Sequence, residues 1–125
     1  MHAKLLSLVV VIGLLLAATS AEASDEVRRR GSCTGGSGHW ELRVRRETRT
    51  SLRVRFSIEN APSGHTWQLF LSDNGSGILA RSKVSTSSGE VRIRKVIRDR
   101  WGSDRIKASG VDLTNGDLCS GSLRY

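Results

Sequence analysis

Arginine alternates with apolar residues in three short runs of this chain: Trp40-Glu41-Leu42-Arg43-Val44-Arg45, Leu52-Arg53-Val54-Arg55-Phe56-Ser57-Ile58 and Val91-Arg92-Ile93-Arg94. A period of two puts the apolar side chains on one face of a β-strand and the arginines on the other. With no helical periodicity elsewhere, the chain reads as antiparallel sheet, dry on the inner face and cationic on the outer one. The pattern names a fold class and a working surface. It names no activity.

Residues 1–23 have the features of a secretory signal peptide. Lys4 supplies a positive start, Leu5 to Ala18 form an uncharged apolar stretch, and Ala21 and Ala23 stand at the small positions of an A-x-A cleavage site. The apolar run is shorter than the roughly 20 residues that cross a bilayer. The expectation is a secreted, extracellular protein with no transmembrane segment in the mature chain.

Removing that segment leaves enough chain for one small domain. The mature part keeps the net charge of +8, because the removed part carries one base, Lys4, and one acid, Glu22. Such a balance keeps a protein soluble and concentrates anionic partners near it. The two cysteines, Cys33 and Cys119, lie near the two ends of the mature chain. In an exported protein an even pair is most simply one structural disulfide. Their spacing suits neither a zinc site nor a C-x-x-C redox pair, and no metal or cofactor is expected.

Residues 24–37 are charged and small, with Arg28-Arg29-Arg30 ahead of glycines and serines around Cys33, and read as a flexible basic N-terminal arm. The domain proper spans 38–125. Its expected strands are His39–Arg46, Thr50–Glu59, Thr66–Ser72, Gly77–Val84, Glu90–Ile97, Asp104 to Gly110 and Leu118–Tyr125. Their spacing is that of a sandwich or barrel. Asn60-Ala61-Pro62-Ser63-Gly64 is a turn, Asp73-Asn74-Gly75-Ser76 signals a type I′ hairpin, and Asn115-Gly116 turns into the last strand. The expected fold is all-β: a seven-stranded antiparallel immunoglobulin- or fibronectin III-like sandwich with one disulfide. Its core would hold Trp40, Leu42, Val44, Leu52, Val54, Phe56, Ile58, Trp67, Leu69, Leu71, Ile78, Val91, Ile93, Ile106 and Leu123.

Two stretches carry a resemblance. Gly64-His65-Thr66-Trp67-Gln68-Leu69-Phe70-Leu71-Ser72-Asp73-Asn74-Gly75 resembles the third strand and hairpin of small secreted β-sandwich proteins from actinobacteria. Gly102-Ser103-Asp104-Arg105-Ile106-Lys107-Ala108, followed by Gly116-Asp117-Leu118-Cys119-Ser120-Gly121-Ser122-Leu123, resembles their closing strands. The resemblance implies an exported immunoglobulin-like domain and brings no catalytic residue with it.

The sharpest candidate site is the arginine face. In an immunoglobulin-like sheet the second of the expected strands lies between the first and the fifth. Arg43, Arg45, Arg53, Arg55, Arg92 and Arg94 then share one outer surface. Directly opposed like charges weaken a sheet; Glu41, Glu59 and Glu90 are placed to offset them in part. Guanidinium is shaped for bidentate contact with phosphate, sulfate or carboxylate. The candidate partners are teichoic acid, acidic polysaccharide, extracellular nucleic acid and anionic lipid headgroups, set against the plainer reading of a solvated, solubilising face.

A two-residue hairpin loop would set Leu71 opposite Ile78 and Phe70 opposite Leu79. Phe70 and Leu79 would then lie together on the outer face of the other sheet as a protein-contact site, unless a bulge returns Leu79 to the core. Asn74-Gly75-Ser76 also fits a glycosylation sequon, although the turn already accounts for it. Trp101 reads either as a sugar-stacking platform or as a plug closing the bottom of the sandwich. Enzyme chemistry finds no support: His39 and His65 lack partner spacing, no serine stands in a G-x-S-x-G elbow, and the acids are scattered. The expected function is non-catalytic binding of anionic envelope or extracellular polymers. The alternatives are a protein–protein module, such as an inhibitor or host-contact factor, and a structural exported domain without a ligand.

Overall fold

The computed structural model describes residues 26–125. The expected signal segment, 1–23, lies outside the described residues. The described part is built of eight strands: β1 (Glu26–Ser32), β2 (His39–Thr48), β3 (Ser51–Glu59), β4 (Thr66–Asp73), β5 (Ser76–Val84), β6 (Val91–Arg98), β7 (Arg105–Asp112) and β8 (Leu118–Arg124). They form two four-stranded sheets, ordered β1-β2-β3-β6 and β5-β4-β7-β8, and every pairing is antiparallel.

The seven strands expected from the sequence are all present. The eighth corrects the reading of residues 24–37 as a flexible arm. β1 pairs along its whole length with β2, from Glu26 opposite Arg45 to Ser32 opposite His39. Its inward positions are Val27, Arg29 and Gly31, only one of them apolar, so no alternation announces a strand. Its partner recruits it. Val27 lies opposite Val44, Gly31 opposite Trp40, and the acids of both strands bind arginines across the pair.

The inward faces meet in one core. Leu42, Val44, Leu52, Val54, Phe56, Ile58, Trp67, Leu69, Leu71, Val91, Ile93, Ile106 and Leu123 are buried as the alternation requires, while Trp40 and Ile78 pack against the core from partly buried positions. Trp40 closes one side of the sandwich. A Cβ on Gly31 would come within 2.6 Å of its indole, and one on Gly121 within 2.2 Å. Both glycines therefore vacate the space that the ring fills between β1 and β8. The Cys33–Cys119 disulfide joins the same two edges, with Cα atoms 4.3 Å apart and a sequence separation of 86.

Asn74 and Gly75 hold positive φ angles of 50° and 87°, as a type I′ turn demands, and Asp73 faces Ser76 across it. Beyond the turn the register shifts. Ser72 pairs with Gly77, Leu71 with Leu79 and Phe70 with Ala80, leaving Ile78 in a bulge. The expected pairing of Phe70 with Leu79 is thereby corrected. The extra residue moves Leu79 onto the side of Leu71, where it packs against the core, and Phe70 alone remains on the outer face, 46% exposed. Phe70 and Leu79 do not form a shared contact site.

Candidate functional site

β3 lies between β2 and β6, so Arg43, Arg45, Arg53, Arg55, Arg92 and Arg94 share the outer face of one sheet, whereas Arg46 of β2 lies opposite buried Leu52. β1 adds two more, Arg28 and Arg30. The register places Arg28 opposite Arg43, Arg43 opposite Arg55, and Arg55 opposite Arg94. One row of four arginines thus crosses the entire sheet. On one side of it runs Glu26, Arg45, Arg53 and Val96; on the other run Arg30, Glu41, Ser57 and Arg92.

Acids neutralise this surface unevenly. Glu26 bridges Arg28 at 3.2 Å and Arg43 at 3.1 Å. Glu41 holds Arg30 at 2.8 Å and lies 3.8 Å from both Arg28 and Arg43. Glu47 accepts from Arg53 at 2.8 Å, and Glu90 binds Arg92 at 2.7 Å. Arg45, Arg55 and Arg94 have no carboxylate within ion-pair distance among the described residues. The β1–β2 half of the row is compensated; the β3–β6 half is not. Partial burial, followed by the charges of Arg43, Arg92, Arg53 and Arg94, holds the Arg55 guanidinium below its usual pKa. An anion placed there would relieve that repulsion.

Of the three acids expected to offset the face, Glu41 and Glu90 do so and Glu59 makes no ion pair among the described residues. Glu26 and Glu47 take its place. Sequence reading missed them because β1 looked like an arm and because Glu47 lies where the β2–β3 register shifts, between Arg46 and Thr48. A depression of about 630 Å³ opens at the His39 end of the face, lined by Arg30, Ser32, His39, Glu41, Ser57 and Glu59 among others. The opposite sheet presents a different surface. Around Phe70, its outer positions are Ser72, Ser82, Ser109 and Ser120, with Gln68 accepting a 2.7 Å hydrogen bond from Ser82.

Two polar groupings lie elsewhere. His65 Nδ1 meets the buried Asp112 carboxylate at 2.7 Å, and Asp112 also accepts from the Thr114 amide at 2.8 Å. Despite its burial, the hydrogen bonds from His65 and Thr114 hold Asp112 below the usual carboxylate range. The nearby Ser85 hydroxyl is engaged by backbone, donating to the Pro62 carbonyl at 2.7 Å and accepting from the His65 amide at 2.9 Å. The arrangement ties the start of β4 to the end of β7. At the other pole, Asp104 is fully buried with neither carboxylate oxygen hydrogen-bonded among the described residues, and burial together with the neighbouring carboxyl groups of Asp99 and Asp73 raises its pKa to about 7. Among the described residues no group of three or more His, Cys, Asp or Glu side chains is arranged to hold a metal ion, and no helix is long and apolar enough to cross a membrane.

Trp101 is fully exposed in the link between β6 and β7. It does not plug the sandwich. No protein-family model matches the chain, and no curated protein does either.

Proposed function

We propose that this chain is a secreted, non-catalytic binding domain whose arginine face engages anionic polymers. The observation that carries the reading is the row Arg28–Arg43–Arg55–Arg94, compensated by carboxylates at one end and bare at the other. Neighbouring strands lie about 4.8 Å apart, so a polyanion laid across them meets a guanidinium at each strand. Opposed like charges weaken a sheet, and Arg55 and Arg94 gain no carboxylate partner among the described residues in return. A bound phosphate, sulfate or carboxylate would supply one through bidentate contacts. The strand order supports an immunoglobulin-type reading, with β2-β3-β6 as strands A-B-E, β5-β4-β7-β8 as C′-C-F-G, and β1 added before A. On that reading the disulfide joins the added strand to G rather than B to F.

The test is retention on heparin, teichoic acid and DNA across a salt gradient. Arg55→Ser/Arg94→Ser is compared with Arg81→Ser/Lys107→Ser, which removes the same charge from the other sheet. Early elution of the first variant alone is expected. Equal shifts would mean that net charge explains the retention, and the site would be abandoned.

A further inference from the structure

Trp101 is an unexplained side chain. The other two tryptophans, Trp40 and Trp67, pack into the core, whereas its indole stands clear of the described residues. Packing does not account for so large an apolar ring in water. Nor is the segment that carries it loose. The Asp99 amide donates to the Thr50 carbonyl at 2.8 Å, Arg46 bridges Asp99 at 3.0 Å, and Asp104 and Tyr125 exchange two backbone hydrogen bonds of 2.8 and 3.0 Å. Gly102, with φ of 79°, supplies the backbone conformation that turns the chain back after the ring. The tip is held at both ends, and the ring is presented.

Its surroundings are as particular as its exposure. Arg49, Arg98, Arg100, Arg105 and Arg124 are exposed at the same end of the sandwich, and none has a carboxylate within ion-pair distance among the described residues. The acids of this pole are otherwise engaged. Glu26, Glu47 and Asp99 each pair with an arginine, and Asp73 and Asp104 are buried. The pole therefore shows water a projecting indole and, at the same end of the sandwich, five exposed guanidinium groups without a carboxylate partner among the described residues.

We infer that this pole docks on anionic lipid bilayers, with the Trp101 indole seated at headgroup depth and the five arginines on the lipid phosphates. Tryptophan suits the membrane interface because its ring is apolar and its N–H finds polar partners there. Basic residues beside it add attraction to an anionic leaflet. A polyanion without bases, such as teichoic acid or heparin, would satisfy the arginines but offers the indole nothing, whereas stacked bases would require a strand held along a groove of aromatic rings, and this pole has a single exposed indole among the described residues. A sugar-stacking platform needs a ring held flat by its neighbours, and this one has none. A single convex tip fits a fluid surface. The inference rests on the pole alone and is independent of the row of arginines on the sheet.

The experiment is binding to phosphatidylcholine vesicles with and without about a third of phosphatidylglycerol, read by co-sedimentation and tryptophan emission. Wild type, Trp101→Ser, Trp101→Phe and Arg55→Ser/Arg94→Ser are compared, with melting temperatures measured to show that each is folded. Wild type should bind only the anionic vesicles, with blue-shifted emission that brominated acyl chains quench. Trp101→Ser should bind about tenfold more weakly, Trp101→Phe should recover part of the loss, and the sheet variant should still show the emission shift. Free glycerol phosphate should not compete, which separates a bilayer from its dissolved headgroup. Undiminished binding by Trp101→Ser, or sedimentation with vesicles without any emission shift, would overturn the inference. Failure to bind vesicles while heparin retention persists would also overturn it, leaving the sheet face intact.

Discussion

Arg43 and Arg55 lie directly opposite each other on β2 and β3, and only Arg43 has a carboxylate, Glu26 at 3.1 Å. The pair divides the sheet into a half that is electrostatically closed and a half that is open. On the closed side Glu26 and Glu41 serve three arginines between them; on the open side Arg55 and Arg94 face each other without relief. A surface selected only for solubility gains nothing from such a row, because charges spread apart dissolve a protein equally well and do not strain its sheet.

Arg94→Thr should therefore make the fold more stable while weakening its hold on polyanions. Removing one member of a directly opposed like-charged pair is worth about 0.2–1 kcal/mol, and threonine suits an exposed strand position. Urea denaturation at low salt should show the gain, and added salt should shrink it by screening the repulsion in wild type.

Gly121→Ala should be costly for so small a change. The new Cβ would lie 2.2 Å from the Trp40 ring, so either the ring or β8 must move. Overpacking of this kind costs about 1–3 kcal/mol. The denaturation midpoint should fall, near-ultraviolet dichroism should change, and Trp40→Phe in the same chain should recover part of the loss.

Loss of the disulfide should be felt throughout the domain. It links positions 86 residues apart and joins the edges of the two sheets. Cys33→Ser/Cys119→Ser should lower stability by about 2–5 kcal/mol. Denaturant melts of the wild type with and without a reducing agent should reproduce the difference, and coincident melts would show that the bond contributes nothing.

Asp104 gives the fold a dependence on pH with a definite sign. Its folded pKa of about 7 stands above the ordinary value of 3.8. The folded state thus binds the proton more tightly than the unfolded chain, and this contribution is complete below the unfolded value. It is lost as pH rises from there through about 7. Asp112 and Glu26, held below the usual carboxylate range, act in the opposite sense and lose their contribution only in stronger acid. Stability should accordingly decline from mildly acidic to mildly alkaline pH. Asp104→Asn should flatten that decline and be the more stable chain above pH about 7, as thermal melts across the range would show.

The alternation of arginine with Leu, Val, Phe and Ile determined, by itself, three strands and their inward faces, the spacing of turn residues marked four more, and Asn74-Gly75 marked the type I′ turn. Those features depend on the two-residue repeat of an extended backbone and on which residues tolerate positive φ. Both are local, and both are written in consecutive residues. Tertiary structure decided the rest. Arg28 and Arg30 joined the face only because β2 offered an edge to a segment with no alternation of its own. Leu79 went inward because a single bulged residue shifted the register beyond the turn. Which arginines were left bare depended on where Glu26 and Glu47 came to lie, one on the added strand and the other at a register shift. Asp112 met His65, and Asp104 came beside Asp73, across long stretches of chain. Pairing between distant segments sets such contacts, and a periodic pattern shows which face a side chain takes but not what it will find there.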